Sequence, residues 1–209
     1  DGFSWGGLAG GPDLTRLTNM NIARRAQAAP EAAKPLSFLD RIWRRSDRRA
    51  SLERLHRAVV ALGRDPGWDR DGGVPDTLDG RFDMIAAVTA LALLRLEAEG
   101  EAGREPSALL AEWFVADMDA SLRQIGIGDY VVGKHVGRMM GALGGRLHAF
   151  RSAGGDEDSP AGAVRPNVFR DAPPGEEALA WTAARLGRLR DRLAGLTLAE
   201  LLEGKLPRP

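Results

Sequence analysis

The sequence contains no cysteine, which excludes disulfide bonds, thiol catalysis and metal centres built on cysteine ligands. Long hydrophobic runs are also missing. The longest largely apolar run, from Met84 to Leu94, has 11 residues, whereas a helix that spans a bilayer needs about 20. We therefore expect a soluble chain without a transmembrane helix.

The chain also lacks a net charge, since 29 basic residues balance 29 acidic ones. This balance argues against a general nucleic-acid binder, so we expect no DNA partner. Single segments are nevertheless strongly charged: +5 for residues 40–64, −9 for 65–119 and +4 for 123–151. The folded molecule should therefore present faces of opposite charge.

Apolar residues recur at helical spacing along most of the chain from Phe38, and no segment shows the alternation of a half-buried strand. The segment from Arg81 to about Glu99 is apolar almost all the way round, which places it at the centre of the core. Further helices are predicted to end near Gly63 and to cover 107–125, 129–151, 176–193 and a short stretch from Thr197. We predict an all-α fold, a single helical domain of about five to six helices with a long ordered loop before the central helix.

Composition divides the chain into four parts. Residues 1–36 are rich in glycine and alanine without a consistent period, and we expect them to form a poorly ordered extension. A helical core should cover residues 37–153. Residues 154–175, rich in Gly, Asp, Glu, Ser and Pro, are predicted to be a linker. Residues 176–206 should form C-terminal helices that pack on the core.

The loop before the central helix begins like a calcium-binding loop but lacks two residues that such a loop needs. Val74 replaces the glycine at its sixth position, and Gly80 replaces the bidentate glutamate at its twelfth. Turn and cap residues dominate instead. We predict an ordered loop from Gly73 to Gly80, in which Asp76, Thr77 or Asp79 accepts a hydrogen bond from a backbone N–H at the helix start.

No other pattern supports catalysis or metal binding. Residues 128–134 match the skeleton of a phosphate-binding loop, but His135 stands where a hydroxyl must bind magnesium, and the segment follows a helix rather than a strand. His135 and His148, two of the three histidines, point to different sides of one helix, so we expect no shared metal site. We predict no enzyme activity, no metal and no cofactor.

A glycine-rich helix after Asp129 is one of two features beyond a plain bundle. Gly133, Gly137, Gly141 and Gly144 form a stripe beside basic residues that include Lys134 and Arg138. An interior glycine costs a helix about 1 kcal/mol relative to alanine, so the stripe needs a reason. Either another helix of the domain approaches closely or a partner does. We expect an internal contact at Gly137. For Gly141, an internal contact and a partner contact both remain alternatives.

Asp117 is the second feature, because it lies within an apolar helical stripe beside Trp113 and Phe114. A carboxylate there must be paired or accept hydrogen bonds. We predict a mostly buried structural carboxylate, with Arg81 as its favoured partner. A catalytic role for Asp117 is the alternative.

Four strings together carry a family resemblance. They are GVPDTLDGRFDM at 73–84, FVADMDASLR at 114–123, IGIGD at 125–129 and VGK at 132–134. In order and spacing they resemble the ubiquinol–cytochrome c chaperone family, over roughly residues 51–150. The resemblance implies a helical fold and a role in biogenesis of the cytochrome bc1 complex, as an assembly factor rather than an enzyme.

The resemblance also implies partners and a location. We expect a chaperone that holds newly made cytochrome b or other bc1 subunits, in the cytoplasm at the inner face of the inner membrane, with the ribosome and anionic lipid as further contacts. A helical binding module for another membrane-protein complex is the alternative. The expected partner-binding residues are Val74, Pro75, Asp76, Asp79, Arg81, Lys134, Gly137, Arg138 and Gly141.

Overall fold

The computed structural model describes residues 38–124, 129–153, 160–169 and 174–207. Within these ranges the chain forms helices and no β-strand, so the predicted all-α fold is confirmed. The helices are α1 (Phe38–Gly63), α2 (Gly67–Arg70), α3 (Leu78–Glu97), α4 (Glu101–Gln124), α5 (Asp129–Ser152), α6 (Pro160–Val164), α7 (Glu176–Ala194) and α8 (Leu198–Leu202), with a π-helical turn at Arg165–Phe169. The predicted extension at 1–36 lies outside the described residues.

The chain divides into two units, residues 1–42 and 43–209. In the first unit, only residues 38–42 belong to the described ranges, where they begin α1. The second unit contains the core and all side chains discussed below.

Helix α3 is the centre of that core, as its apolar pattern predicts. Every residue from Phe82 to Leu93 is buried. Thr89 is accommodated because its hydroxyl donates a hydrogen bond of 2.7 Å to the carbonyl oxygen of Ile85. Helices α4, α5 and α7 pack around α3, which leaves no side of it facing water over these turns.

Side-chain caps fix the starts of two helices. The Thr77 hydroxyl oxygen accepts a hydrogen bond from the Gly80 N–H at 3.1 Å, which confirms a predicted cap of α3. Thr197 and Glu200 form a reciprocal capping box at the start of α8, the short helix predicted from Thr197. Helix α4 begins earlier than predicted, at Glu101, and includes Pro106.

The segment predicted as a linker, 154–175, contains ordered structure that the sequence interpretation missed. Helix α6 and the π-helical turn occupy residues 160–169, and Val164, Val168 and Phe169 are buried in the core. The Asn167 side-chain amide donates to the carbonyl oxygen of Ala163 at 2.8 Å. Three apolar side chains are enough to bury this short segment, although its flanks are rich in glycine and proline.

A buried ion pair joins α3 to α5. The Asp83 carboxylate contacts the Arg146 guanidinium, and both side chains are almost completely buried. Arg146 also donates to the carbonyl oxygen of Ala142 at 3.1 Å and lies 5.8 Å from the ring centre of Phe82. Because an isolated buried charge is costly, loss of either partner would leave the other uncompensated in the core.

Arg95 ties the other end of α3 to the end of α7. Its guanidinium donates to the carbonyl oxygens of Leu193 and Leu196, at 3.1 and 2.6 Å. Leu193 lies in the last turn of α7 and Leu196 follows the end of that helix, so Arg95 holds the backbone on both sides of the helix end. Among the helices in the described ranges, none combines the length and apolarity needed to cross a bilayer.

Candidate partner-binding site

The loop between α1 and α3 forms one wall of an open groove of about 500 Å³, which we call the loop groove. Its apolar lining comes from Trp68, Val74, Pro75, Leu78, Phe82, Met84, Ile85 and Met118. Its charged rim consists of Arg64, Asp65, Asp69, Asp76 and Arg81. The groove therefore brings together four of the predicted partner-binding residues: Val74, Pro75, Asp76 and Arg81.

Leu78 is the apolar residue that the groove leaves in water. Its surface is 55% exposed, although it lies in the first turn of α3 next to a fully formed core. Leu78 was not among the site residues predicted from the sequence. The only indication in the sequence was the position of Leu78, which follows the capping residue Thr77 and precedes the first buried turn of α3. The exposure of the Leu78 side chain depends on how the neighbouring loop folds, which the local sequence does not show.

An arginine from α7 holds the loop in place. The Arg185 guanidinium is 4.4 Å from the ring centre of Trp68 and 4.9 Å from that of Trp181, so it lies between the two indoles. It also pairs with the Asp65 carboxylate at 3.0 Å. Gly67 leaves room for it, because a Cβ there would lie 2.3 Å from the Arg185 Nη1 atom.

Further hydrogen bonds hold the same loop. The Trp68 indole N–H donates to the carbonyl oxygen of Leu62 at 2.8 Å. The Thr182 hydroxyl of α7 donates to the carbonyl oxygen of Gly72 at 3.0 Å. The next residue, Gly73, has a φ of 65°, which a side chain would disfavour. The predicted ordered loop is therefore confirmed, and its wall is preorganised before any partner arrives.

Gly80 allows the loop to close onto α3. A Cβ at this position would lie 2.0 Å from the carbonyl oxygen of Pro75, closer than any real contact. The Pro75 backbone can approach the helix only because Gly80 lacks a side chain. Pro75 thereby reaches the groove lining next to Leu78.

Arg81 pairs with Asp76 and not with Asp117, so the predicted partner of Asp117 is wrong. The Arg81 Nε and Nη2 atoms donate to one Asp76 carboxylate oxygen at 2.8 and 2.6 Å, and both side chains are exposed. The two residues are five positions apart in the sequence, so the pair forms across the start of α3. An exposed pair of this kind contributes about 0–1 kcal/mol to stability.

Asp117 is half-buried, with 35% of its side chain exposed, and faces His56 of α1 instead. The His56 Nε2 atom is 3.8 Å from the Asp117 Oδ2 atom, too far for a hydrogen bond. The His56 ring stacks on Trp113 at 6.1 Å between ring centres. In the described part of the chain, neither His56 Nδ1 nor Asp117 Oδ2 has a hydrogen-bond partner.

Burial lowers the pKa of His56 below its ordinary value of 6.5, and the nearby Asp117 carboxylate opposes this by raising it. Since burial is the larger effect, His56 is neutral near pH 7. Its contact with Asp117 is therefore an ion pair only in acid. The arrangement gives Asp117 a structural neighbour but no group that would activate it for catalysis.

A second groove, of about 480 Å³, opens on the other side of the α3 start. Its lining includes Asp79 and Arg138, two more of the predicted partner-binding residues, together with Met139, Pro166 and Asn167. Phe82 lines both grooves. The first turn of α3 thus separates two depressions, each of which contains predicted site residues.

The glycine stripe of α5 faces away from the core. No described atom lies within 4 Å of the position that a Cβ would take at Gly137, Gly141, Gly144 or Gly145. The expected internal contact at Gly137 is therefore wrong, since the buried face of this helix is formed by residues such as Leu143 and Arg146. Gly133 and Lys134 belong to the same helix, but their side-chain environment lies outside the described residues.

Comparison with known proteins identifies the family. The family model described as ubiquinol-cytochrome C chaperone matches residues 70–208, which is more than half of the chain. The crystal structure of the Cbp3 homolog from Brucella abortus is similar, with a TM-score of 0.69 and 29% sequence identity over 81% of this chain and 95% of that chain. The comparison with curated proteins gives no match. Matched over most of its length in sequence and in fold, the chain belongs to the ubiquinol–cytochrome c chaperone family, a family of bc1 assembly chaperones rather than enzymes.

Proposed function

We propose that this bc1 assembly chaperone holds newly made cytochrome b, and that the loop groove is where it does so. The observation that carries the proposal is an exposed leucine, Leu78, on a groove whose wall is held rigidly by α7. A large apolar side chain kept in water beside an apolar groove is typical of a surface that a partner covers. Cytochrome b is a membrane protein, so its segments are apolar before they insert.

Rigidity supports a holding role. Arg185, Thr182 and Gly80 fix the loop without any partner present, so little conformational entropy is lost when a segment docks. The rim adds exposed charges, among them Asp76 and Arg81, which can orient a segment without burying charge. A groove of this kind binds and releases; it contains no group placed to do chemistry.

The α5 face is the second part of the proposed surface. Gly137 and Gly141 leave open space along the helix, and Met140 between them is 38% exposed. Small residues let a second helix approach the backbone closely, as in membrane helix pairs. With Arg138 on this helix and Lys134 one turn before it, we propose a contact for an apolar client helix with a basic border.

We further propose that the protein works in the cytoplasm, at the inner face of the inner membrane. The support is the basic character of α1, where Arg54 and Arg57 are exposed, together with exposed Arg188 on α7. Anionic lipid headgroups and ribosomal RNA both attract such side chains. Contact with the ribosome would place the chaperone where cytochrome b is made.

The test replaces Leu78 by aspartate in a tagged protein that is recovered from cells together with whatever it holds. Losing the burial of one leucine should weaken capture of cytochrome b by about tenfold or more. Leu78→Met keeps an apolar side chain and should capture normally. Ala184→Asp places a carboxylate on an exposed site of α7 and is the second control.

The cellular measurement is bc1 activity beside the activities of the other respiratory complexes. Leu78→Asp should lower bc1 activity alone. If the wild-type protein captures subunits of another membrane complex and never cytochrome b, the alternative of a binding module for that complex replaces the proposal. If Leu78→Asp captures cytochrome b normally, the loop groove is not the binding site.

A further inference from the structure

Two grooves flank the first turn of α3 and share part of their lining. Phe82 lines both the loop groove and the second groove. Leu78, one helical turn before it, lines the loop groove, and its neighbour Asp79 lines the second groove. The partition between the two grooves is therefore a single helical turn that carries an exposed leucine.

The second groove matches the loop groove in size and in its apolar lining. Its volume is about 480 Å³, against about 500 Å³ for the loop groove. Phe82, Met139, Ala142 and Pro166 supply its apolar lining, and Gly145 adds backbone without a side chain. A volume of this size is that of a small-molecule pocket and receives only a few side chains. Either groove alone therefore covers only a short part of a client segment.

The charged residues that line the loop groove balance one another. Two of its three aspartates form ion pairs, Asp65 with an arginine of α7 at 3.0 Å and Asp76 with Arg81 at 2.6 Å. The remaining charged residues of the lining are Asp69 and Arg64, one of each sign. The loop groove therefore offers no excess of either charge to an occupant.

The second groove is balanced in the same way. Its charged lining residues are Asp79, Arg138 and Arg146. Arg146 is the buried partner of Asp83, so Asp79 and Arg138 again supply one charge of each sign. Burying a charge without a partner in either groove would be costly. The occupant that complements both grooves is an uncharged apolar segment.

We propose that one uncharged apolar segment of a membrane-protein client lies across the first turn of α3 and fills both grooves. A helix with its side chains is about 10 Å wide, so a helical segment of about 16 residues, about 24 Å long, can cross it and reach into both grooves. The apolar interior of a membrane span, about 20 residues long, meets this requirement. The inference rests on the proposed holding of such a client and states which part of it is held.

The first experiment maps both ends of a bound peptide. The peptide has about 16 Leu, Ala and Gly residues and a neutral Ser/Gln tail for solubility, with a photo-reactive leucine near one end or near the other. After illumination with the full chain, mass spectrometry locates the cross-links. The two probes together should label residues of both grooves. Labels confined to one groove, or no binding of the peptide, overturn the inference.

The second experiment asks whether the two grooves hold one segment or two. Leu78→Asp changes the loop groove, and Gly145→Glu changes the second groove. A Cβ at Gly145 would meet no described atom within 4 Å, so the new side chain has room. If one segment fills both grooves, either variant should lower the labelling of both grooves by about tenfold. A loss confined to the altered groove, or no loss, overturns the inference.

Gly187→Glu is the matched control. It makes the same substitution in α7, at a position that also has open space and lines neither groove, so both grooves should be labelled normally. Loss of labelling in this variant would mean that added charge anywhere weakens binding, and would overturn the inference. Thermal unfolding of the three variants checks that each one folds.

The third experiment varies the charge of the peptide. Two Lys, two Glu or two Gln residues at one end should give affinities within about threefold of one another by fluorescence anisotropy, because each groove offers one acid and one base. Lys or Glu in place of a central leucine should weaken binding by about tenfold or more, since that charge is buried at the α3 turn. A preference of about tenfold for one sign, or a central charge without effect, overturns the inference.

A second copy of the chain is the competing occupant. Sedimentation compares the wild type with Leu78→Asp and Gly145→Glu. The same mass for all three proteins supports a client segment. A wild-type dimer that both variants convert to monomers would place a second copy in the grooves and overturn the inference.

Failure of this inference differs from failure of the proposed function. If cytochrome b capture depends on Leu78 but not on Gly145, the holding role of the loop groove stands and the second groove has no part in it. If cytochrome b is never captured, the proposed function fails, whereas the cross-links still decide whether an apolar segment fills both grooves.

Discussion

The loop at residues 65–80 and the outer face of α5 are both rich in glycine, yet the structure uses their glycines in opposite ways. In the loop, a Cβ at Gly67, Gly72 or Gly80 would lie 2.0 to 2.5 Å from an atom of another residue. On α5, a Cβ at Gly137 or Gly141 would meet no described atom within 4 Å. The fold requires the first set. No described part of the fold requires the second set.

The inner face of α5 offers the strongest contrast with its open outer face. Arg146→Met removes the guanidinium that faces the buried Asp83 carboxylate and should lower the free energy of unfolding by about 3–5 kcal/mol. Urea denaturation measures the loss. The double variant Asp83→Leu/Arg146→Met should recover most of it, because neither charge of this pair is then left buried without its partner. A double variant as unstable as the single one would contradict this account of the pair.

Gly80→Ala tests the loop side of the comparison. The added methyl group would collide with the Pro75 carbonyl oxygen, so the loop must move away from α3, and stability should fall by about 2–3 kcal/mol despite the better helix propensity of alanine. Thermal unfolding reports the change. Client capture should fall as well, because the Pro75 wall of the groove shifts. An unchanged melting temperature would show that the loop is not held as described.

Gly137→Ala and Gly141→Ala test the helix side and should act in the opposite direction. Both positions have open space, so alanine should stabilise the protein by up to about 1 kcal/mol each through helix propensity. If the α5 face binds a client helix, capture of cytochrome b should weaken in the same variants. A lower melting temperature of Gly137→Ala would indicate that Gly137 does make the internal contact that was predicted from the sequence. If the alanine variants are more stable and still capture cytochrome b normally, Gly137 and Gly141 are not part of the client-binding surface.

The smallest effect concerns His56, which belongs to α1 and faces Trp113 and Asp117 of α4. Its pKa is lower in the folded protein than in the unfolded chain, so the unfolded chain takes up the proton first as the pH falls. Stability should therefore decrease as the pH drops below about 6.5 and should be insensitive to His56 above that value. His56→Gln should flatten the pH dependence of the melting temperature between pH 7.5 and 5.5.

Asp117→Asn sharpens the same test. Without the carboxylate that raises it, the His56 pKa should fall further, and the loss of stability in acid should become steeper. Gly137→Ala, far from this pair along the chain, should leave the pH dependence unchanged and serves as its control. A pH dependence identical in wild type, His56→Gln and Asp117→Asn would show that other groups govern the acid response.

Local pattern predicted the helices and some caps, because these depend on neighbours in sequence. The burial of α3, the Thr77 cap and the Thr197–Glu200 box all follow from residues within one or two turns. The sequence failed where a contact joins distant residues. Asp117 received the wrong partner because His56 and Arg81 lie in different helices, and only packing shows which one approaches it.

The candidate site shows the same division. The strings at 73–84, 114–123, 125–129 and 132–134 were together enough to predict the family, and four of the predicted partner-binding residues do share one groove. Leu78 and Arg185 were missed. Leu78 matters through exposure, and Arg185 lies in an apolar stripe of α7, where nothing in the neighbouring sequence indicates that two indoles and Asp65 will surround it.

The sequence by itself determined that this protein is helical, that α3 forms its centre and that it belongs to a chaperone family. Helical periodicity is a local property, and a family pattern is a property of the string. Tertiary structure alone decided which glycines are required, how 160–169 pack and which charges pair. Those outcomes depend on distances between residues far apart in the chain, such as Asp83 and Arg146, which are 63 positions apart. The burial that gives a charge or a missing methyl group its energetic weight exists only after the helices have packed.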